Sequence, residues 1–226
     1  MEPRKTSNVP FPQPVWGLLQ ALSSAGFFEE SILIGNWVMP LYSEFFDIAY
    51  ALRAMDIDFA VQFLRGKKAG RRDLQELILS LGFTPLFTES GVQKFSREGL
   101  TIGFTANRPG GRREDRVLVS EWNITAVLLP FVNILFGFSF AAECGGTKVR
   151  APIPEAFFLH KLLTAAERQE EGKRLKDLEQ CRVIAPKLNR TRLHNVCGSV
   201  KLSSRTKGDI RLSCKSIGFP PHMLGI

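Results

Sequence analysis

The most restrictive feature of the sequence is the segment Asp56-Ile-Asp-Phe59, in which acidic and apolar residues alternate. Successive side chains of a β-strand point to opposite faces, so a strand here puts Asp56 and Asp58 on one face and Ile57 and Phe59 on the other. Two carboxylates so close together repel each other unless a cation lies between them. The pair therefore predicts a site for a divalent ion such as Mg²⁺, which prefers carboxylate oxygens and accepts substrate phosphate in its other positions.

A glycine turn precedes this strand. Ser31–Ile34 is a short apolar run that ends at Gly35, and residues 36–52 have helical spacing. A turn from a strand through a glycine into a helix lets phosphate groups approach the backbone and the start of the helix. Gly35 and Asn36 are therefore predicted to contact nucleotide phosphates.

Strand and helix patterns alternate before residue 152, and helical patterns dominate after it. The spacing of apolar residues predicts helices at 14–28 and 72–81, a strand at 56–64, and a hairpin of 92–97 with 100–105. After Pro152, one helix continues to a break at Gly172, and a second covers 173–184. We therefore predict an α+β fold, with a small mixed sheet and flanking helices in residues 1–151 and a helical region with a basic tail in residues 152–226.

Two features bear on the compartment of the protein. Residues 122–142 have no charged side chain and are long enough to cross a bilayer, but Pro130 would break a membrane helix near its middle. We interpret the segment as a buried helix followed by a strand at 138–144, and we expect no membrane contact. The four cysteines are too far apart for a CxxC motif, which favours reduced thiols and a cytoplasmic location.

The glycine turn and the acidic strand together resemble the signature of the polymerase-β nucleotidyltransferase superfamily. The arrangement Arg53-x-x-Asp56-x-Asp58-Phe59 is similar to bacterial minimal nucleotidyltransferases, including the abortive-infection toxin branch. The resemblance implies Mg²⁺ held by Asp56 and Asp58, an NTP as substrate, and transfer of its nucleoside monophosphate to a hydroxyl. It also makes Arg53 a candidate contact to the nucleotide.

Further matches lie downstream in Pro152-Ile-Pro154, His160-Lys-Leu-Leu163 and Lys176-Asp-Leu178. By this resemblance, Lys161 would contact nucleotide phosphates and Asp177 would hold or orient the site. Each residue also has a purely structural interpretation. Lys161 would then be a solvated helix residue, and Asp177 would pair with Lys173 at the i,i+4 spacing.

Two positions depart from the family pattern. Asn36 stands where the family has glycine or serine, a change that the left-handed tolerance of asparagine makes acceptable. Gly103 stands where the family has a third carboxylate, which helps to bind metal and to deprotonate the attacking hydroxyl. Glu98 and Glu121 are possible replacements. The alternative function is therefore a catalytically degenerate nucleotide-binding or regulatory protein.

The net charge of +8 favours anionic partners such as nucleotides or RNA. Basic residues cluster at 65–72, at 108–116 and in the tail after residue 186. If the first two clusters flank the cleft, they would bind a triphosphate or the backbone of an RNA acceptor, and a protein acceptor is an alternative. A solubilising surface explains the same charges.

Overall fold

The computed structural model describes residues 4–51, 54–62, 73–88, 91–108 and 115–226. Within these ranges the chain forms one seven-stranded sheet and one three-stranded sheet. The strands of the large sheet are β2 (Ser31–Ile34), β3 (Asp56–Val61), β4 (Thr84–Phe87), β5 (Gln93–Arg97), β6 (Leu100–Asn107), β7 (Arg116–Val119) and β8 (Ile124–Leu129). The strands of the small sheet are β1 (Arg4–Thr6), β9 (Ser139–Cys144) and β10 (Thr147–Pro152).

The large sheet is mixed, as the sequence predicts. Its strands follow the order β2-β3-β6-β5-β4, and β8 pairs with both β6 and β7. Strand β3 is antiparallel to β2 and parallel to β6, and this register places Asp58 opposite Ile34 on one side and Gly103 on the other. The predicted hairpin is confirmed, with Glu98 and Gly99 both at positive φ in its two-residue turn.

Eight α-helices flank the sheets in the described ranges. They are α1 (Val15–Ser24), α2 (Met39–Phe46), α3 (Leu74–Ser80), α4 (Val132–Gly137), α5 (Pro154–Glu167), α6 (Glu171–Ile184), α7 (Arg190–Gly198) and α8 (Ser204–Ile217). Pro40 lies in the first turn of α2, where a proline is tolerated, so it does not break the helix. None of the helices in the described ranges is both long and apolar enough to span a bilayer.

One part of the core lies on the face of the large sheet opposite the two carboxylates. The rings of Phe59 and Phe27 meet edge to face at 5.3 Å between centroids, and Phe27 makes a similar contact with Trp122. Ile57 and Phe59 are fully buried there, which confirms the predicted alternation of β3. The buried apolar residues form one cluster from Phe11 to Leu224 that crosses the predicted boundary at residue 151. The division into two domains there stays a prediction.

The prediction for residues 122–142 is wrong in its first half. Residues 124–129 form strand β8, whose side chains alternate between buried and half-buried positions, and only the short helix α4 follows. A uniformly apolar run has no clear period, so its sequence does not distinguish a buried strand from a buried helix. Strands β4 and β7 are not predicted either, because each is only four residues long and neither alternates apolar with polar residues.

Candidate active site

A cleft of about 350 Å³ lies between the large sheet and helix α5. The sheet side of the cleft is formed mainly by Asp56, Asp58, Gly103, Thr105, Val127 and Leu129. The helix side is formed by Phe157, His160, Lys161, Thr164 and the C-terminal cap residue Arg168. The cleft therefore has a charged end near β3 and an apolar end near β8.

Asp56 and Asp58 border this cleft together. The side chain of Asp56 is 64% exposed. Asp58 lies two residues further along β3 and is partly buried. Burial raises the pKa of Asp58, and the negative charge of Asp56 raises it further. A cation between the two carboxylates would relieve both effects, because it favours the charged form of each group.

The carboxylate of Asp58 lies between two glycines. A Cβ atom on Gly35 would lie 2.8 Å from Asp58 Oδ2, and Gly35 has a φ of +68°, so a side chain is excluded by contact and by conformation. A Cβ atom on Gly103 would lie 3.2 Å from Asp58 Oδ1. Gly103 therefore faces Asp58 from the neighbouring strand, and a side chain at this position would point into the cleft.

Four basic side chains surround the charged end of the cleft: Lys94, Lys161, Arg168 and Lys173. Lys94 Nζ lies 4.0 Å from Asp56 Oδ1. Lys161 is only 13% exposed, so it is not a solvated helix residue. These cations give the cleft the charge that a polyphosphate requires.

Asp177 joins α6 to the cleft side of α5. Its carboxylate is 5% exposed and accepts hydrogen bonds from Lys161 Nζ at 2.5 Å and from Arg168 Nε at 3.3 Å. Lys173 instead pairs with Glu170 at 2.7 Å, so the alternative pairing of Asp177 with Lys173 is wrong. Asp177 thus orients two of the cations that face the cleft.

Other residues predicted for the site lie elsewhere. The Asn36 side chain accepts a hydrogen bond from Gln180 on α6, and it does not border the cleft. Arg53 and the basic cluster at 65–72 lie outside the described residues. Glu98 accepts hydrogen bonds from Arg97, and neither it nor Glu121 borders the cleft.

Sequence reasoning missed several residues that border the cleft, among them Lys94, His160 and Arg168. Lys94 and Arg168 supply positive charge, and His160 lies one residue before Lys161. His160, Thr164 and Arg168 follow one another at intervals of four residues, so they lie on the same side of α5. The tetrapeptide that contains Lys161 was the available indication for His160, but only the packing of α5 on the sheet places this residue at the edge of the cleft.

The donor set of the cleft fits Mg²⁺. No group of three or more His, Cys, Asp or Glu residues in the described ranges could enclose a metal ion. Mg²⁺ does not need such a cage, because proteins usually bind it through one or two carboxylates while phosphates and water complete the octahedron. Asp56 and Asp58 are the two residues that would hold it.

Comparisons with known proteins give a family and similar solved structures. A family model described as "Nucleotidyltransferase" matches residues 13–202. The structure is similar to that of an antigenic nucleotidyltransferase-like protein from Paracoccidioides brasiliensis, with 14% identity, coverage of 92% of this chain and 93% of that chain, and a TM-score of 0.49. It is also similar to a tRNA nucleotidyltransferase complexed with a primer tRNA and an incoming ATP analogue, with 12% identity, coverage of 89% and 60%, and a TM-score of 0.26. No curated protein sequence matches the chain.

Proposed function

The chain belongs to the nucleotidyltransferase family, and we propose that it transfers the nucleoside monophosphate of an NTP to a hydroxyl group of an RNA, a protein or a small molecule in a Mg²⁺-dependent reaction. The observation that carries this proposal is that Asp56, Asp58, Lys161 and Arg168 all border the same cleft. The carboxylates suit a hard divalent ion, and the cations suit the phosphates that such an ion accompanies.

Several residues would contribute to nucleotide binding in different ways. Lys161, Arg168 and Lys94 would contact the triphosphate, and Asp177 holds Lys161 and Arg168 in place before the nucleotide arrives. The left-handed Gly35 lets phosphate oxygens approach the start of the following turn. Arg53 remains a proposed contact to the nucleotide, and Asn36 would contribute through its backbone, since its side chain bonds to Gln180.

The chemistry is a displacement at the α-phosphorus. The acceptor oxygen forms a bond to this atom, and the bond from the atom to the bridging oxygen breaks. Pyrophosphate leaves with the electron pair, and its charge is stabilised by Lys161 and Arg168. Bound Mg²⁺ would supply Lewis-acid stabilisation of the phosphate charge.

The finer placement of the chain rests on the Arg53-x-x-Asp56-x-Asp58-Phe59 arrangement. This pattern supports membership of the bacterial minimal nucleotidyltransferases and a toxin-like role. In this proposal the predicted domain of residues 1–151 supplies the carboxylates, and the predicted region of residues 152–226 supplies Lys161, Arg168 and Asp177.

The test is a transfer assay with four NTPs that carry the label on the α-phosphate. Each is incubated with Mg²⁺ and with total RNA or cell lysate, and RNA, protein and small molecules are separated and counted. We expect label in one fraction with the wild-type protein and none with the Asp56→Ala/Asp58→Ala double variant. The Asp209→Asn variant changes an acidic residue on α8 that does not border the cleft, and it should behave as wild type. Equal incorporation by the wild type and the double variant would refute the role of the pair.

A second candidate function follows from Gly103, which puts no carboxylate opposite Asp58 on β6. The chain would then bind nucleotides and act as a sensor or regulatory protein without turnover. Calorimetric titration with ATP or GTP and Mg²⁺ separates the two candidates, because binding without label transfer supports this second one. The absence of any binding would leave both candidates without a basis.

A further inference from the structure

The positive charge of the protein is concentrated in its last two α-helices and the segments beside them. Residues 185–226 contain eight Lys and Arg residues and one acidic residue, whereas residues 1–184 contain 22 basic and 21 acidic residues. The last 42 residues therefore have a net charge of +7, and the rest of the chain is close to neutral. A solubilising surface usually mixes charges of both signs, so this separation favours an anionic partner for the C-terminal region.

Helix α8 presents several of these charges to solvent. The helix buries Ile210 and Cys214 against the rest of the protein. Arg205, Arg211 and Lys215 are exposed, and we call these three residues the basic face of α8. Arg211 and Lys215 lie one turn apart, because four residues separate them. An anion in solution can therefore reach all three side chains.

The cations of the C-terminal region have almost no acidic partners. Lys187 pairs with Asp47, and it is the one basic residue after position 184 that forms an ion pair with another described residue. Asp209, the acidic residue of this region, lies on α8 but forms no ion pair within the described part of the chain. Like charges on one surface repel each other, and a bound polyanion removes this repulsion.

The positive surface continues past the C-terminal end of α8. Arg182 of α6 is exposed and donates a hydrogen bond to the carbonyl oxygen of Ser216 at 3.3 Å, so its guanidinium lies beside the last turn of α8. Arg182, Ser216 and Lys176 line one cavity of about 850 Å³. Glu179 is the one acidic side chain among the described residues that line this cavity. Cations are therefore available along an extended path.

This arrangement suits a phosphate polymer better than a single anion or a membrane. From Arg205 to Lys215 the basic face extends over about 15 Å, at 1.5 Å for each helical residue. A polymer supplies negative charge over such a length, whereas a single anion contacts only one or two cations. A helix that lies on a membrane needs an exposed apolar face, and Leu212 is the one large apolar side chain that α8 exposes.

We propose that the basic face of α8 binds the phosphate backbone of a polynucleotide without regard to base sequence. Residues 185–217 contain no Phe, Tyr or Trp on which bases could stack, so the contacts are electrostatic and depend strongly on salt. None of the three residues of the basic face borders the cleft of Asp56 and Asp58. This binding is therefore separate from nucleotidyl transfer and goes beyond the proposed function.

The test measures the fluorescence anisotropy of a labelled single-stranded RNA of mixed sequence, and of a DNA of the same sequence, with the full-length protein at several salt concentrations. We expect Arg211→Gln/Lys215→Gln to weaken binding about tenfold and to lower the slope of log K against log salt by about 1–2. Arg205→Gln is an independent variant and should lower this slope by about 1. Arg211→Lys should bind as the wild type does, because a backbone contact of this kind needs the charge and not the planar guanidinium.

The matched control is Lys5→Gln/Lys148→Gln, which removes the same two charges from exposed positions of the small sheet and should leave binding unchanged. Equal affinities for RNA and DNA would assign the shared phosphate backbone as the ligand, and tighter binding of RNA would assign RNA as its source.

An α8 double variant with the affinity and the salt slope of the wild type would overturn the proposal. So would an equal loss in the control, because net charge alone would then explain the binding. Tighter binding of polyglutamate or of phosphatidylserine vesicles than of RNA would also overturn it, in favour of an acidic protein or a membrane. The Asp56→Ala/Asp58→Ala double variant should still bind RNA, so a failure of the proposed function would leave this proposal standing.

Discussion

The position of the Asp58 carboxylate depends on the two glycines beside it. Gly35 directly follows β2 and Gly103 lies on β6, the two strands that flank β3, and a Cβ atom on either glycine would lie within 3.2 Å of an Asp58 oxygen. Gly35 additionally needs the left-handed conformation that ends β2 and starts the turn before α2. The requirement for glycine at position 35 is therefore both conformational and steric.

We predict that Gly35→Ala destabilises the protein and also displaces Asp58. The left-handed backbone alone should cost about 1–2 kcal/mol in the free energy of unfolding. Displacement of the carboxylate should weaken binding of the Mg²⁺–NTP complex by about tenfold or more, a loss of roughly 1.4 kcal/mol. Urea unfolding and calorimetry measure the two effects.

Gly146→Ala is the matched control for this change. Gly146 has a φ of +80°, and an added Cβ atom would meet nothing within 4 Å. The control should show the conformational cost without the loss of nucleotide binding. Equal nucleotide affinity in both variants would contradict the steric role of Gly35.

At the scale of elements, the site depends on how α5 and α6 are joined. Lys161 and Asp177 are both largely buried, and Arg168 adds a third member at the end of α5. Removal of one partner from a buried ion pair leaves a charge without compensation, and this is more costly than the loss of a surface pair. The same contact that orients the cations of the cleft therefore also stabilises the helical region.

We predict that Asp177→Asn lowers the free energy of unfolding by about 3 kcal/mol. It should also weaken NTP binding, because Lys161 and Arg168 lose their common acceptor. Asp47→Asn makes the same chemical change in an exposed pair with Lys187, where Asp47 is 91% exposed and solvent screens the charges. Denaturant unfolding should resolve a difference between the two variants, and equal stabilities would contradict the proposed role of the buried pair.

The elements also show what the sequence could predict. Strand β3, the turn at Gly35 and the hairpin of β5 and β6 follow from local alternation and turn residues, and the structure contains all three. Strand β8 could not be distinguished from a helix, because residues 124–129 are apolar except for Thr125 and show no clear period. His160, Lys94 and Arg168 could not be assigned to the cleft, since their places there depend on the packing of α5 against a distant sheet.

At the scale of the whole molecule, the cleft lies between the large sheet and helix α5, which share one hydrophobic core. Asp56 and Asp58 lie on the face of the sheet that borders the cleft. Helix α5 lies across the cleft from this face and contributes two cations and the uncharged His160. The core cluster includes residues of both the sheet and α5, and His160 is buried against it. The stability of the fold is consequently linked to the protonation of the groups that α5 buries.

We predict that His160 makes the folded protein sensitive to acid. Its pKa is about 3 in the folded state and 6.5 in an unfolded chain, so below pH 6.5 the unfolded state takes up a proton that the folded state refuses. The contribution of His160 to stability is thus complete above pH 6.5 and falls as the pH decreases through the window between 6.5 and about 3. Near pH 5 the loss should be about 2 kcal/mol, at 1.36 kcal/mol for each pH unit.

The free energy of unfolding of His160→Phe should fall less than that of the wild type over this range, while His194→Gln should follow the wild type. If urea unfolding at pH 7 and pH 5 gives the same decrease for wild type and His160→Phe, the buried ring is not the source of the acid sensitivity.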